Sequence, residues 1–339
     1  MLRRRLEPWQ RCLCLFQTLG SEGFFLQKVK ILVVKHGALG DVIQVLDGFA
    51  SLRAAYPDAH IAVMTGPTCA PFFSLMPWFD EVVVDYREKF FNFSAALKIR
   101  RYFKRDWRFI VDFQNSGRTQ AYFLAFVRSR VRWIGRALFC SDPIPDYGPI
   151  NHNVRMQNIA KIAGGLDTKA DLDWLYDNCF EVKLKKLLPK NQRYVVLVPG
   201  CSDAKPEKRW SASKFADLAE CLGEIGFSVI LVGTIQDQPV INEVKRQASK
   251  VIDLCAKTSL GQLAMVFQRA SAVVGNDTGP MFLAAKAGVP SLVLMGQHTD
   301  PARSAPIGAK AAFIKSNNIN AIKVLDVVKQ LKELSVLKL

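Results

Sequence analysis

The amino-acid sequence predicts an α/β fold made of two doubly wound parallel sheets with a cleft between them. Short apolar runs alternate with helix-length amphipathic stretches, which is the pattern of strands buried on both faces by crossover helices. The alternation occurs in two series separated by an irregular stretch, and at 339 residues the chain has room for two domains. The best-defined apolar runs end in polar turns containing glycine, where open α/β sheets place ligands.

The first series opens at Val29–Val34, a strand, followed by a helix over Asp41–Ala55 with Val42, Val45, Leu46, Phe49 and Leu52 on one face. Strands at His60–Met64 and Val82–Val84, a helix at Ser94–Arg105 and strands at Phe109–Phe113 and Val131–Ile134 complete it. Cys140–Asn151, rich in Pro, Asp and Gly, and the segment around Asp167–Lys190 read as irregular connection. The second series has strands at Tyr194–Val198, Ser228–Val232, Val251–Leu254 and Ala272–Val274. Helices fall near Ser213–Ile225, Pro239–Ala248 and Leu260–Arg269, with a last one after Pro280. The expected division is an extension over 1–27, a first domain over 28–180 and a second over 181–339. No internal sequence repeat is visible.

Composition narrows the class. No apolar run approaches the ~20 residues that span a bilayer. The eight cysteines are scattered without a CxxC pair, so a soluble chain in a reducing cytoplasm, with no bound metal, is expected. In the extension, Glu7, Pro8, Gln10 and Arg11 interrupt any signal-peptide core after Arg3-Arg4-Arg5. Leu6, Trp9, Leu13 and Phe16 recur at helical spacing, which suits either a membrane-surface helix or an extension without a role. The net charge of +16 is concentrated: from Tyr86 to Arg136, thirteen Lys/Arg face three acids, a net +10, interleaved with Phe90, Phe91, Phe93, Tyr102, Phe103 and Trp107. Such a segment suits anionic lipid, nucleic acid or a phosphorylated acceptor, or is a solvated helix face.

Three turns carry the chemistry. Gly275-Asn276-Asp277-Thr278-Gly279-Pro280 follows a strand and opens a helix. Proline is tolerated in a first helical turn, so Asp277, Thr278 and Gly279 stand at the free N–H end, where the helix dipole attracts phosphate. The plainer reading is an Asp/Thr cap on a packing helix. Lys35-His36-Gly37-Ala38-Leu39-Gly40-Asp41 follows the first strand; it lacks the third glycine of GxGxxG and ends in an acid. Asp41 is either an N-cap or a general base at the cleft, and His36, Gly37 and Gly40 are candidates beside it for the acceptor. Finally, Pro199-Gly200-Cys201-Ser202, then Lys205 and Lys208-Arg209-Trp210, bring ammonium groups to a strand end, for a diphosphate or for solvent.

Taken in order, these segments resemble glycosyltransferase family 9, the ADP-heptose:lipopolysaccharide heptosyltransferases. The resemblance rests on Gly37-Ala38-Leu39-Gly40-Asp41-Val42-Ile43, Arg53-Ala54-Ala55-Tyr56-Pro57-Asp58-Ala59, Pro199-Gly200 with Lys208-Arg209-Trp210, and Gly275 to Met281 with Leu283-Ala284-Ala285. It covers about residues 29–310 and is weakest through 86–190. It implies a GT-B fold, with two Rossmann-like domains, the acceptor mainly on the first, the nucleotide-sugar mainly on the second, and no required metal or cofactor. By the resemblance Asp41 is the base of an inverting transfer. Lys208 and the N–H groups at Thr278–Gly279 stabilise the departing ADP, and Gly200, Cys201, Ser202 and Asp277 complete the donor site. Gln236 and Asp237 occupy the region of a further acidic donor residue. The implied partners are ADP-heptose or a related nucleotide-sugar and a lipid-linked oligosaccharide acceptor. The implied location is cytoplasmic, peripheral at the inner membrane through the basic segment.

One departure stands out: Phe282 occupies a position where the family commonly has histidine, and phenylalanine donates no hydrogen bond to phosphate or sugar. The other readings are a weakly active paralogue, a transferase using another nucleotide-sugar, a GT-B epimerase, and a non-catalytic protein that binds anions or nucleic acid. Asp41, Lys208 and Asp277 standing together favour catalysis. No nucleic-acid-reading motif accompanies the charge, so nucleic acid is not the expected partner.

Overall fold

The computed structural model describes residues 28–88, 93–176, 186–190, 192–202 and 205–337. The extension over 1–27, the boundary expected near 180, and Lys89, Phe90 and Phe91 of the basic segment lie outside the described residues.

The first half of the chain folds as β1 (Lys30–Val34), α1 (Leu39–Ile43), α2 (Leu46–Ala55), β2 (His60–Thr65), α3 (Ala70–Phe73), β3 (Glu81–Val84), α4 (Phe93–Phe103), β4 (Phe109–Asp112), α5 (Gly117–Tyr122), β5 (Arg132–Gly135), β6 (Asp142–Pro143) and α6 (His152–Ile162). Its strands form one parallel sheet in the order β3-β2-β1-β4-β5-β6. The second half folds as β7 (Tyr194–Val198), α7 (Ala212–Glu224), β8 (Ser228–Leu231), α8 (Gln238–Gln247), β9 (Val251–Asp253), α9 (Leu260–Gln268), β10 (Ala272–Asn276), α10 (Gly279–Lys286), β11 (Ser291–Met295), α11 (Pro301–Ser304), β12 (Ala311–Lys315) and α12 (Val324–Glu333). Its parallel sheet runs β12-β11-β10-β7-β8-β9. Counted from its other end, this sheet repeats the strand order of the first. Each is a doubly wound sheet whose order reverses beside its first strand, at β1/β4 and at β7/β10.

Burial explains why the strands read as unbroken apolar runs. Ile31, Leu32, Val33 and Val34 of β1, and Val195, Val196 and Leu197 of β7, are fully buried because helices cover both faces. One hydrophobic cluster continues from the first lobe (Ile31, Val33, Phe49) into the second (Val196, Phe267, Met281), so the two lobes share apolar packing.

The helix expected over Asp41–Ala55 is two helices. Val45 N–H donates to Val42 O at 3.0 Å, a one-residue tightening, and Gln44 Nε2 folds back to Gly40 O at 3.3 Å. The expected irregular segment Cys140–Asn151 contains β6, and α6, which carried no prediction, starts just after it, where the Asn151 side chain accepts from Asn153 N–H at 3.0 Å. The C-terminal β12 and α12 also carried no prediction. They close the second lobe against β11 and α7.

The fully buried Asn276 ends β10 and ties two loops to it. Its Oδ1 accepts from Trp210 N–H at 3.0 Å, and its Nδ2 donates to Pro199 O at 2.8 Å. Asn276→Ala leaves a buried donor and a buried acceptor without partners. It should cost about 2–3 kcal/mol, read as a lower midpoint in urea unfolding. A midpoint equal to that of the wild type would mean that another group takes over both bonds.

Candidate active site

Both sheets present their carboxyl ends to one cleft. At the end of β1, Asp41 is the third residue of α1 and does not cap it. The N-cap position is Ala38, and no side-chain cap bond forms there. The Asp41 side chain is exposed and lines a cavity of about 510 Å³. Ser202, Lys205, Lys208, Asp277, Thr278 and Gly279 line the same cavity from the second lobe. Lys35 lies buried near Asp41; burial pushes its ammonium below the ordinary lysine value, while Asp41 and Asp112 oppose that shift.

Lys208 and Asp277 are already partners. Lys208 Nζ is 2.5 Å from Asp277 Oδ2, and Thr299 Oγ1 donates to the same oxygen at 2.9 Å. Asp277 therefore holds Lys208 at the cavity wall through a charge-assisted bond. Thr278 is the N-cap of α10 but gives no side-chain bond to its first turn, where Pro280 carries no N–H and Met281 N–H donates to Thr278 O at 3.0 Å.

A second cavity of about 550 Å³ shares Ser202 and Thr278 with the first. Its wall is largely apolar: Leu39, Val198, Val232, Leu260, Leu263 and Pro280, with Gly200 and Cys201 at the end of β7. Asp237 reaches it with Oδ2 accepting from Thr234 N–H at 2.8 Å and Thr234 Oγ1 at 2.9 Å. A Cβ on Gly200 would fall 2.2 Å from Asp237 Oδ1, so a side chain there would displace the Asp237 carboxylate.

Two acceptor-side candidates lie elsewhere. His36 does not line the cavity. It is buried, its Nε2 sits 3.0 Å from Asp85 Oδ2, its N–H donates to Gln114 Oε1 at 3.0 Å, and Arg87 Nη2 donates to its carbonyl at 3.1 Å. Burial acts to raise the Asp85 carboxyl, but His36, the Tyr122 hydroxyl and the Arg87 N–H outweigh it and hold the acid well below the usual carboxylate range. Gly37, at φ +134°, also stays off the cavity wall, and its turn is packed against Cys69. Gly40 does line the cavity. A Cβ there would be 3.0 Å from the Cα of Gly279, so the backbones of the two lobes touch at this pair.

Several cavity residues escaped the sequence reading: Gln44, His152, Arg155 and Arg303. For His152 and Arg155 the available signal was Asn151, a cap residue followed by Met156, Ile159 and Ala160 on a buried face. Phe282 also lines the cavity, close to Gly40. Among the described residues, no group of three His, Cys, Asp or Glu side chains is placed to hold a metal ion.

Among the described aromatics of the basic segment, the rings nearest its charges are mostly turned inward. Phe103 and Trp107 are buried in the first lobe, and Tyr102 donates to Glu81. Arg105, Arg118, Arg132 and Arg136 pair with Glu81, Asp85, Asp142 and Asp146. Lys98, Arg100, Arg101 and Lys104 stay exposed on and just after α4. No helix among the described residues is long and apolar enough to cross a membrane.

Two doubly wound lobes that meet at one cleft, with Asp41 and the Asp277–Gly279 turn lining the same cavity, make a fold of the GT-B type. The chain belongs to glycosyltransferase family 9 (heptosyltransferase), whose family model matches residues 155–334. It is 26% identical over 324 residues to lipopolysaccharide heptosyltransferase 2 of Escherichia coli (strain K12), covering 85% of this chain and 88% of that protein. With lipooligosaccharide heptosyltransferase 2 of Haemophilus ducreyi it shares 24% over 320 residues, covering 87% and 91%. The fold is shared with the family 9 glycosyl transferase of Veillonella parvula at a TM-score of 0.75 and 22% identity, covering 90% of this chain and 97% of that one. It is shared also with E. coli ADP-heptose lps heptosyltransferase II at 0.72 and 23%, covering 90% and 98%.

The glycine contact between the lobes is testable. Gly40→Ala favours the helix locally but forces the two backbones apart by a few tenths of an ångström. Turnover should fall about tenfold, because small misplacements of reacting groups are costly. The melting temperature and ADP affinity should stay near the wild-type values. Unchanged turnover would show that the contact does not set the catalytic geometry.

Proposed function

We propose that the protein transfers a heptose from ADP-heptose to an acceptor sugar of a lipopolysaccharide core, with inversion at the anomeric carbon and without a metal ion. The observation that most supports this is the exposed carboxylate of Asp41 lining the same cavity as the Lys208–Asp277 pair and the first turn of α10. Asp41 takes the proton of the acceptor hydroxyl as its oxygen bonds to the anomeric carbon. The bond from that carbon to the diphosphate oxygen breaks, and ADP leaves with the electron pair. Lys208 and the N–H groups at Thr278–Gly279 meet the charge that grows on the diphosphate. The apolar cavity beneath Gly200, Cys201 and Ser202 takes the nucleoside, with Asp237 beside it. On this reading the first domain, 28–180, serves the acceptor and the second, 181–339, the donor.

Phe282 supports a second reading, in which the natural donor carries a different sugar or nucleotide, because its side chain lines the cavity and donates no hydrogen bond to sugar or phosphate. The test is ADP release on mixing the protein with ADP-heptose and core acceptors, beside a panel of other nucleotide-sugars. With ADP-heptose as donor, Asp41→Asn should lower turnover by at least ~100-fold while ADP still binds. Lys208→Ala should weaken both ADP binding and turnover. A folded Asp41→Asn protein with normal turnover would remove Asp41 as the base, and turnover with another donor alone would favour the second reading.

The acceptor of such an enzyme is carried by a membrane, and the exposed Lys98, Arg100, Arg101 and Lys104 support peripheral contact with an anionic cytoplasmic surface. Each basic residue near such a surface contributes roughly 1 kcal/mol, screened by salt. The protein should sediment with anionic vesicles, less so as salt rises, and neutralising Arg100, Arg101 and Lys104 together should reduce this without changing ADP affinity. Equal sedimentation with neutral vesicles would return these residues to a solvated helix face, and tighter binding to RNA than to vesicles would favour a nucleic-acid partner.

A further inference from the structure

The loop between β5 and β6 turns two large apolar side chains outward. Ala137-Leu138-Phe139-Cys140 is apolar throughout, yet only its two ends are buried. Leu138 is 55% exposed and Phe139 87%, the most exposed large hydrophobic side chain among the described residues. The loop is firmly tied. Cys140 N–H donates to Ala137 O at 3.1 Å, which closes a β-turn with Leu138 and Phe139 at its two central positions. The Cys140 thiol donates to Gly135 O at 3.3 Å, and Ile144 N–H donates to the same oxygen at 2.9 Å. Phe139 sits at φ +64°, the left-handed conformation that the third position of a type II turn demands and that glycine adopts without strain. A bulky aromatic residue is an outlier there, and with its ring in solvent no burial offsets the strain. A strained, uncovered tip on a well-tied turn points to a partner outside the chain.

Its neighbours say which partner. Ala137 and Cys140 belong to a hydrophobic cluster on one face of the first sheet, with Leu32 and Val34 of β1 and Phe103 of α4. The turn and α4 therefore cover the same face. From it α4 exposes Leu97 beside Lys98, Arg100 and Arg101, and the exposed Arg136 stands just before the turn. The turn leaves the carboxyl end of β5, and β5 runs parallel to β4 and β4 to β1, so it lies on the sheet edge from which β1 leads to Asp41. Apolar tips set among cations match the boundary of an anionic bilayer, where rings reach the acyl chains and bases stay at the headgroups.

We propose that the Leu138–Phe139 turn inserts into the acyl boundary of an anionic bilayer, while Arg136 and the bases of α4 lie on its headgroups. This rests on the membrane-borne acceptor of the proposed reaction and adds the point of insertion. Charge recruits the protein, and the turn keeps it there with the Asp41 edge of the first sheet beside the lipid.

The test mixes the full chain, without donor, with phosphatidylglycerol/phosphatidylethanolamine vesicles whose acyl chains carry bromine. Phe139→Trp should add indole fluorescence that the bromines quench, above the quenching seen in the wild type. At about 1 M salt, where charges act over roughly 3 Å, wild-type binding should persist, and Leu138→Ser/Phe139→Ser should lower it at least ~10-fold. Phe139→Gly separates insertion from a structural role: it relieves the turn, so the melting temperature should stay or rise while vesicle binding weakens. ADP affinity should not change in any of these variants. Where transfer is observed, the double variant should raise KM at least ~10-fold for a vesicle-borne acceptor and leave it unchanged for a water-soluble core oligosaccharide. No added quenching in Phe139→Trp, full binding by the double variant in high salt, or a lower melting temperature in Phe139→Gly would overturn the insertion. A wild type that sediments as a dimer beside a monomeric double variant would overturn it too, by placing a second copy over the turn. Quenching without transfer to either acceptor would support the insertion and count against the proposed reaction.

Discussion

The cleft depends on one contact, the approach of the Gly40 backbone to that of Gly279. Any side chain at either position would hold the lobes apart. The residues on each side of this contact are the ones with chemistry: Asp41 follows Gly40, and Asp277 and Thr278 precede Gly279. This close approach therefore sits between Asp41 in one lobe and the Asp277–Gly279 turn in the other. Around it, Lys286 bonds to Asp47, Asn151 Nδ2 donates to Ala305 O at 2.8 Å, and the shared hydrophobic cluster fills the space behind. Asp47 also accepts from Ala170 N–H at 2.8 Å, so its charge is spread over three donors from separate segments.

The two lobes reach the same design from unrelated residues. Each sheet reverses its strand order beside its first strand, and that reversal opens a crevice at the carboxyl ends. In the first lobe the crevice is used by the turn that carries Asp41. In the second it is used by two turns, after β7 and β10, which Asn276 binds together and the Lys208–Asp277 pair closes. The polar and apolar cavities that meet at Ser202 and Thr278 follow from that arrangement.

Much of this was legible in the sequence, because strands of a parallel sheet are apolar on both faces and end in recognisable turns. The runs at Val29–Val34 and Tyr194–Val198 and the turns at Gly40-Asp41 and Asp277-Thr278-Gly279 needed no structure to be found. What was not legible is direction. His36 adjoins the Gly37–Asp41 turn yet points to Asp85, because a turn can send neighbouring side chains to opposite sides. Phe103 and Trp107 read as part of a charged, aromatic surface, but α4 buries one face, and the charges and rings separate across it. Gln44, His152 and Arg155 come from two segments more than a hundred positions apart, and only the packing of α6 on α2 brings them to one wall. Pro, Asp and Gly before Asn151 read as loop, and they hid the helix that supplies two of these residues.

The inter-lobe brace has a mechanical consequence. Asp41 and the Asp277–Gly279 turn belong to separate lobes and are held in register by the contacts beside them. Hinging the sheets apart must therefore withdraw Asp41 from Lys208 in the same motion that opens the cleft. Under the proposed reaction, an open molecule would take in or release nucleotide through the second lobe alone, with the proposed base Asp41 drawn away from the sugar. Under that same reaction, idle hydrolysis of a bound donor by stray water would be discouraged by geometry, since the proposed machinery is complete only while the lobes are shut.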